Sequence, residues 1–400
     1  MAGPGATRAG RTAPDARSPT SVPAPPRVPD LTGLNASTGN PKQAIRRTAL
    51  DLGFSSVGFA PASPPAHESA FLDWLRLGRN ADMGWMARED SVRRRLDPTE
   101  ALPGCRTVLV VSLSYAPPAE GESRIGPRSF AVSPATDPGR TAGDAVIARY
   151  ALGRDYHDVF EEKLAILADL LRTLDPASDC KLYVDYGPVL EREHAQRAGL
   201  GWIGKNTMLI DPRLGSYILL GEILTTLELE PDPPFIPDRC GTCSRCIEAC
   251  PTDALVAPRV LDARLCISWL TIENRGPIPP DLRGAIGNRV FGCDICQEVC
   301  PWNRDVAAGS SGLLELGRPV SPDTLRAWAI ELLDMEPGEF RARYRGTALA
   351  RPGRDGLLRN LCVGLGNSGD ARAAPILRRC AAEESDLVQE HARWALGRLS

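Results

Sequence analysis

Cysteine carries the densest chemical information in this 400-residue chain, because eight of its twelve cysteines fall between Cys240 and Cys300. Cys240, Cys243, Cys246 and Cys250, followed by Pro251, read C-x2-C-x2-C-x3-C-P. Cys293, Cys296 and Cys300, followed by Pro301, repeat the cadence without its first cysteine, and Cys266 between the runs can supply it. In the bacterial double-cluster run, three closely spaced thiolates wrap one iron–sulfur cubane while the fourth cysteine reaches its neighbour. One 4Fe–4S cluster then takes Cys240, Cys243, Cys246 and Cys300; the other takes Cys266, Cys293, Cys296 and Cys250. Two zinc sites of four thiolates would consume the same eight residues, but zinc motifs seldom show this cadence twice. Paired clusters relay low-potential electrons, so an external donor and an internal acceptor are both expected.

The other motifs are less complete. Gly199-Leu200-Gly201-Trp202-Ile203-Gly204 fits G-x-G-x-x-G, yet it follows a helical segment and precedes a strand, the reverse of a dinucleotide fold. Close backbone approach to another large ligand is the expectation here. Asp155-Tyr156-His157 begins the base-off cobalamin signature D-x-H-x-x-G, but Phe160 stands where glycine belongs, so His157 is read as a polar residue at a helix start. His67, His194 and His391 stand singly, without metal-spaced partners. Asp185 ends a strand before the Tyr186-Gly187-Pro188 turn. A carboxyl there faces a ligand crevice or caps the next helix; beside an apolar cofactor it would be a proton donor.

The elements that must position these groups follow from periodicity. Helices are expected over Lys42–Leu52, His67–Leu77, Tyr156–Leu174 and Val189–Ala198. Strands are expected over Ser56–Ala60, Thr107–Ser114, Lys181–Val184, Thr207–Ile210 and Tyr217–Leu220. Residues 93–98 (RRRLDP) read as a basic turn and 116–143 as a long loop. Alternating helices and strands argue for an α/β or α+β unit before the Pro231–Pro237 linker. Past residue 310 strand signals stop, and Leu357–Gly366 aligns with Val388–Gly397 at an offset of 31, as stacked helical repeats of HEAT type would. The expected organisation is a disordered extension (1–40), a catalytic unit (41–232), a ferredoxin-like unit (233–310) and a helical unit (311–400).

Composition excludes several classes. Apolar residues at 43% and charged residues at 24% exclude wholesale disorder, and 47 basic against 50 acidic side chains give no global field for nucleic acid. The tail differs: residues 341–400 hold 11 Arg, no Lys and 6 acids. Its densest set, Arg341, Arg343, Arg345, Arg351, Arg354 and Arg359, is a candidate phosphate-binding face. No apolar run reaches the about 18 residues of a membrane span. Clustered thiols without an export signal point to metal and a reducing cytoplasm.

Taken together, the ordered motifs resemble the epoxyqueuosine reductase family. They are Arg95-Leu96-Asp97-Pro98, Gly153-Arg154-Asp155-Tyr156-His157, Val184-Asp185, Ala198–Asn206, Gly221-Glu222-Ile223, the cysteine runs, Cys266-Ile267-Ser268 and Gly292–Cys296. The resemblance covers about residues 42–400. It implies an α+β fold with a nitroreductase- or reductive-dehalogenase-like cobalamin-binding unit, a ferredoxin-like unit and HEAT-like helices. It also implies reduction of the epoxide of epoxyqueuosine to the alkene of queuosine in tRNA. Base-off cobalamin without a protein His ligand, two 4Fe–4S clusters, a cytoplasmic monomer and an external electron donor belong to the same picture. By motif position Asp185 is the proton donor, and Arg95, Ser268, Cys293 and Asp294 line the cobalamin, with Leu209 and Leu220 against it. A reductive dehalogenase of a small organohalide is the rival reading.

Overall fold

In the computed structural model, which describes residues 40–116, 143–307, 309 and 324–399, one four-stranded sheet carries the N-terminal unit. Its order is Ser56–Pro61, Thr107–Ser114, Ile218–Thr225, Cys180–Tyr183, with every neighbouring pair antiparallel. The expected extension and the 116–143 loop lie outside the described residues except at their ends. An antiparallel sheet makes this unit α+β, and the crevice rule of parallel sheets does not apply to Asp185.

Thr107–Ser114 is buried along its whole length because both faces of the sheet are covered. On one face Phe59, Leu109, Val111 and Ile223 pack against Phe160, Leu164 and Leu167 of the amphipathic Tyr156–Leu174 helix. On the other, Val108, Val110 and Leu224 meet Ala195 and Ala198 at the Glu191–Arg197 helix. The period-2 strand and the period-3.6 helix thus bury matching stripes. Residues 93–98 are not a turn: Glu89–Leu96 is helical and Asp97 caps the next short helix by accepting the Thr99 N–H.

The cysteine-rich segment follows with short helices, among them Arg245–Glu248, Ile267–Ile272 and Ile295–Glu298. Its strand Arg289–Phe291 pairs in parallel with Val146–Ile147, fastening the segment to the N-terminal unit. The described tail is helical: Leu325–Leu333, Pro337–Arg343, Gly353–Ser368, Ala374–Glu383 and Asp386–Leu399. The two segments aligned at an offset of 31 lie in the first and last of its three longest helices. A Cβ on Gly366 would meet Ala395, so the glycine sets how closely those helices approach.

Gly353–Ser368 buries every residue from Gly356 to Gly366, since cysteine-unit loops cover the side its fellow helices leave. Arg359 sits in that interface, fully buried. Its guanidinium donates to the carbonyls of Leu270, Asn274 and Gly276 at 2.7–2.8 Å and to Asn360 Oδ1. Asn360 adds bonds to the carbonyls of Thr271 and Val290, both 2.8 Å. Burial lowers the Arg359 pKa to about 10, which leaves it charged at neutral pH. Replacing Arg359 with Leu strands three buried carbonyls, so urea unfolding should show a loss of about 3 kcal/mol or more. A change under 1 kcal/mol would mean that water replaces the guanidinium.

Candidate functional site

Asp185 lies at φ 60°, a left-handed conformation that short polar side chains tolerate. The Tyr186 N–H closes a tight turn onto the Val184 carbonyl at 2.6 Å. Half-exposed, the Asp185 carboxylate directs Oδ2 at two partners. Tyr156 Oη donates to it at 2.5 Å, and Arg351 Nη1 stands at 3.7 Å. Arg351 Nε also pairs with Glu273 at 2.6 Å. Asp185 therefore belongs to the sheet unit, Glu273 to the cysteine segment and Arg351 to the helical tail, and the three charges meet at one point.

Tyr156 is placed by its helix. Asp155 caps that helix by accepting the His157 N–H at 3.0 Å, and His157 stacks on the Tyr156 ring at 4.1 Å between centroids. His157 Nδ1 lies 2.6 Å from Asp155 Oδ1, so its ring is engaged locally. Burial and then the Asp185 charge push the Tyr156 phenol well above its ordinary pKa, which keeps it a donor. Behind Asp185, Glu191 Oε1 accepts the Asp185 N–H at 2.5 Å. Burial, then Asp185 and Glu222, raise the Glu191 carboxyl well above the usual range. Glu222 in turn pairs with His194 at 3.0 Å inside the sheet layer.

The remaining expected residues separate into groups. Arg95 is buried and donates to the Gly187 carbonyl at 3.3 Å and to Ser91, so it braces the turn that carries Asp185. Leu209 and Leu220 pack in the same apolar cluster, beside Tyr183. Asp294 is buried, accepts the Arg149 N–H at 2.7 Å and has its pKa raised to about 6 by burial. Tyr150, next to Arg149, meets the Tyr156 ring edge-on at 5.8 Å between centroids and so connects the surroundings of Asp294 and Asp185. Ser268 lies in the helix that follows Cys266. Arg149 was missed by sequence reasoning; its Nε is buried with no protein partner, an available donor beside Asp294. An amide-rimmed, largely apolar corrinoid suits that donor and the two leucines.

The cysteines form two neighbourhoods. Cys240, Cys243, Cys246 and Cys300 line one cavity of about 510 Å³. In the other, Cys266 senses Cys250, Cys293 senses Cys266, and Cys296 senses both Cys293 and Cys266. The short helices Arg245–Glu248 and Ile295–Glu298, which carry Cys246 and Cys296, pack against each other, so the sets adjoin. Among the described residues no three Cys, His, Asp or Glu side chains converge enough to chelate a single ion. Four thiols around a cavity suit a polynuclear group instead. Trp202 Nε1 points at Cys240 Sγ, 3.4 Å away.

Other expectations are corrected. The glycine motif approaches its own chain rather than a ligand: a Cβ on Gly201 would lie 2.1 Å from the Ile210 carbonyl oxygen. The tail arginines do not form one phosphate-binding face. Arg359 is buried, Arg354 grips Glu384 through two bonds of 2.7 and 2.8 Å, Arg343 pairs with Glu331, and Arg351 serves Asp185 and Glu273. Arg341 and Arg345 remain exposed, with no ion pair among the described residues. Charge density in sequence could not reveal these acids because all but Glu384 lie outside the tail segment counted.

Residues 95–186 match the family of epoxyqueuosine reductase QueG, and residues 239–303 match the 4Fe–4S double cluster binding domain. The epoxyqueuosine reductase of Pseudomonas aeruginosa is 40% identical over 359 residues, covering 89% of this chain and 94% of that one. That of Xanthomonas campestris is 41% identical over 355 residues, covering 88% and 94%. A solved epoxyqueuosine reductase with a tRNA-Tyr epoxyqueuosine-modified stem loop superposes with a TM-score of 0.75 at 30% identity, covering 90% of each chain. In a Bacillus subtilis structure (TM-score 0.75, 31% identity, 90% of each chain) an aspartate-bearing catalytic loop is swung out of the active site. With this identity across nearly the whole described chain, the protein belongs to the epoxyqueuosine reductase family.

Proposed function

We propose that this chain reduces the epoxide of epoxyqueuosine in tRNA to the alkene of queuosine, using cobalamin and two 4Fe–4S clusters. The observation that carries the reading is the Asp185 carboxylate, fixed through one oxygen by Tyr156 and by Arg351, which also holds Glu273 of the cysteine-rich segment. Converting an epoxide to an alkene and water takes two electrons and two protons. The clusters and a corrinoid would supply the electrons at low potential. Family membership favours this over the organohalide alternative.

Asp185 is the proton donor in this scheme. Tyr156 and Arg351 occupy Oδ2, which leaves Oδ1 to hold the proton and aim it at the departing oxygen. Glu191, its carboxyl pushed well above the usual range by burial, touches the same turn through the Asp185 N–H. Cys240, Cys243, Cys246 and Cys300 would hold one cluster; Cys250, Cys266, Cys293 and Cys296 would hold the other. Arg95, Arg149, Ser268, Asp294, Leu209 and Leu220 would hold the corrinoid, with no protein histidine beneath the metal. His157, tied to Asp155, is consistent with that absence.

The units 41–232, 233–310 and 311–400 are read as the cobalamin-binding, ferredoxin-like and HEAT-like parts of a cytoplasmic monomer. No described helix is long and apolar enough to cross a membrane. The substrate nucleotide must leave its stack to reach the site, as a loop base can. Arg345 is the better phosphate ligand of the two unpaired arginines. Its neighbour Gly346 accepts the Asp155 N–H at 2.7 Å, which sets Arg345 at the rim of the Asp185 site.

Asp185→Asn should lower single-turnover conversion of an epoxyqueuosine stem loop by about 10²–10⁴-fold while retaining corrinoid and RNA affinity; wild-type turnover would remove Asp185 as the acid. Arg345→Glu should weaken stem-loop binding and reduce the slope of log affinity against log salt by about 1. An unchanged slope would move the phosphate contact elsewhere.

A further inference from the structure

The cavity walled by Cys240, Cys243, Cys246 and Cys300 has an unusual rim. Lys205, Arg213, Arg239 and Arg245 line it, against a single acid, Asp305. The chain as a whole is net −3, so this concentration of positive charge is local. Little of it is neutralised. Lys205 donates to the carbonyls of Gly241 and Cys243 at 2.7 and 3.0 Å, not to a carboxylate. Arg239 lies over the Phe235 and Trp302 rings, 5.6 and 6.0 Å from their centroids. Arg245 is exposed with no ion pair among the described residues, and Arg213 is 76% exposed with only a 3.8 Å approach to Asp211.

An apolar contact lies in the same stretch. Ile236, beside Phe235 and four residues before Cys240, is 81% exposed, more than any other large hydrophobic residue among those described. A basic rim, with an exposed apolar residue on the adjoining loop next to Phe235, makes a docking surface for a negatively charged protein. Cys293 of the second set precedes Asp294, which accepts the Arg149 N–H at 2.7 Å among the residues assigned above to the corrinoid. On that assignment electrons would enter at the first set and leave from the second.

We propose that the face formed by Ile236, Arg213, Arg239 and Arg245 docks a small acidic protein carrying a low-potential one-electron centre. Each docking transfers one electron: the carrier is oxidised by one unit and the first cluster reduced by one. Two dockings supply the pair that epoxide reduction consumes. This inference rests on the cluster assignment above, and the two can fail separately.

The test uses holoenzyme with both clusters loaded and a reduced plant-type 2Fe–2S ferredoxin as probe. Cluster reduction is followed by stopped-flow absorbance and complex formation by interferometry. Wild-type reduction should slow steeply as salt rises. The double variant Arg239→Glu/Arg245→Glu should lose at least tenfold in the second-order rate and most of the salt dependence. Ile236→Ser should weaken binding several-fold with the salt slope intact. Both variants should keep eight irons and accept electrons from photoreduced deazaflavin at the wild-type rate. Ferredoxin rates that ignore both the substitutions and salt would overturn the docking face while the clusters stand. Competition by an RNA stem loop for the same face would also overturn it, assigning the surface to nucleic acid. Wild-type protein without iron would instead sink the cluster assignment. Should a variant fail to load iron, the wild-type salt dependence decides alone: a rate indifferent to salt refutes the proposal.

Discussion

Arg351 brings one positive charge to a point where two carboxylates from different parts of the chain face each other. Without it, Asp185 and Glu273 would repel across the junction of sheet unit and cysteine segment, and among the described residues no other cation pairs with Asp185 Oδ2. The geometry is unequal. Glu273 takes the short contact and Asp185 the long one, so the guanidinium is anchored on the cysteine segment and merely leans toward the acid. A partly exposed ion pair of 3.7 Å contributes little to stability. Its effect is orientation: with Tyr156 it commits one oxygen of Asp185 and leaves the other available.

That arrangement depends on the tail being docked. Arg359 and Asn360 fasten the tail's most buried helix to carbonyls between Leu270 and Val290, the region that includes Glu273. His391 adds a further tie by accepting the Ile278 N–H at 3.0 Å, which requires the neutral ring; burial lowers its pKa to about 4. The helical tail is thus part of the catalytic geometry as well as a surface. An arginine-rich segment in which the buried member is the most heavily bonded is built for internal contacts first, and only what remains unpaired is free for phosphate.

Much of this was legible from the sequence where local rules decide. The cysteine run foretold that Cys240, Cys243 and Cys246 would gather, because two intervening residues leave a short chain few ways to run. The Tyr156–Leu174 helix and the Thr107–Ser114 strand follow from apolar periodicity. Contacts between segments distant in sequence were not legible. Arg351 reaches Asp185 across 166 positions, and no local pattern distinguishes it from Arg345, which stays exposed. The glycine motif misled for a related reason: glycine reports that something approaches closely, and here the visitor is the backbone of Ile210.

Positive charge and the partly exposed thiols of Cys240, Cys243 and Cys246 share one mouth, whereas a series of acids surrounds the Asp185 turn. Glu191 touches the Asp185 backbone, senses Glu222, and Glu222 meets His194, whose Nε2 is buried without a protein partner. Burial raises the Glu191 carboxyl, so a second acid stands behind the turn that carries the proposed donor. A carboxylate close to a cluster would disfavour its reduced, more negative state, and at the first mouth the one lining acid, Asp305, is outnumbered by Lys205, Arg213, Arg239 and Arg245.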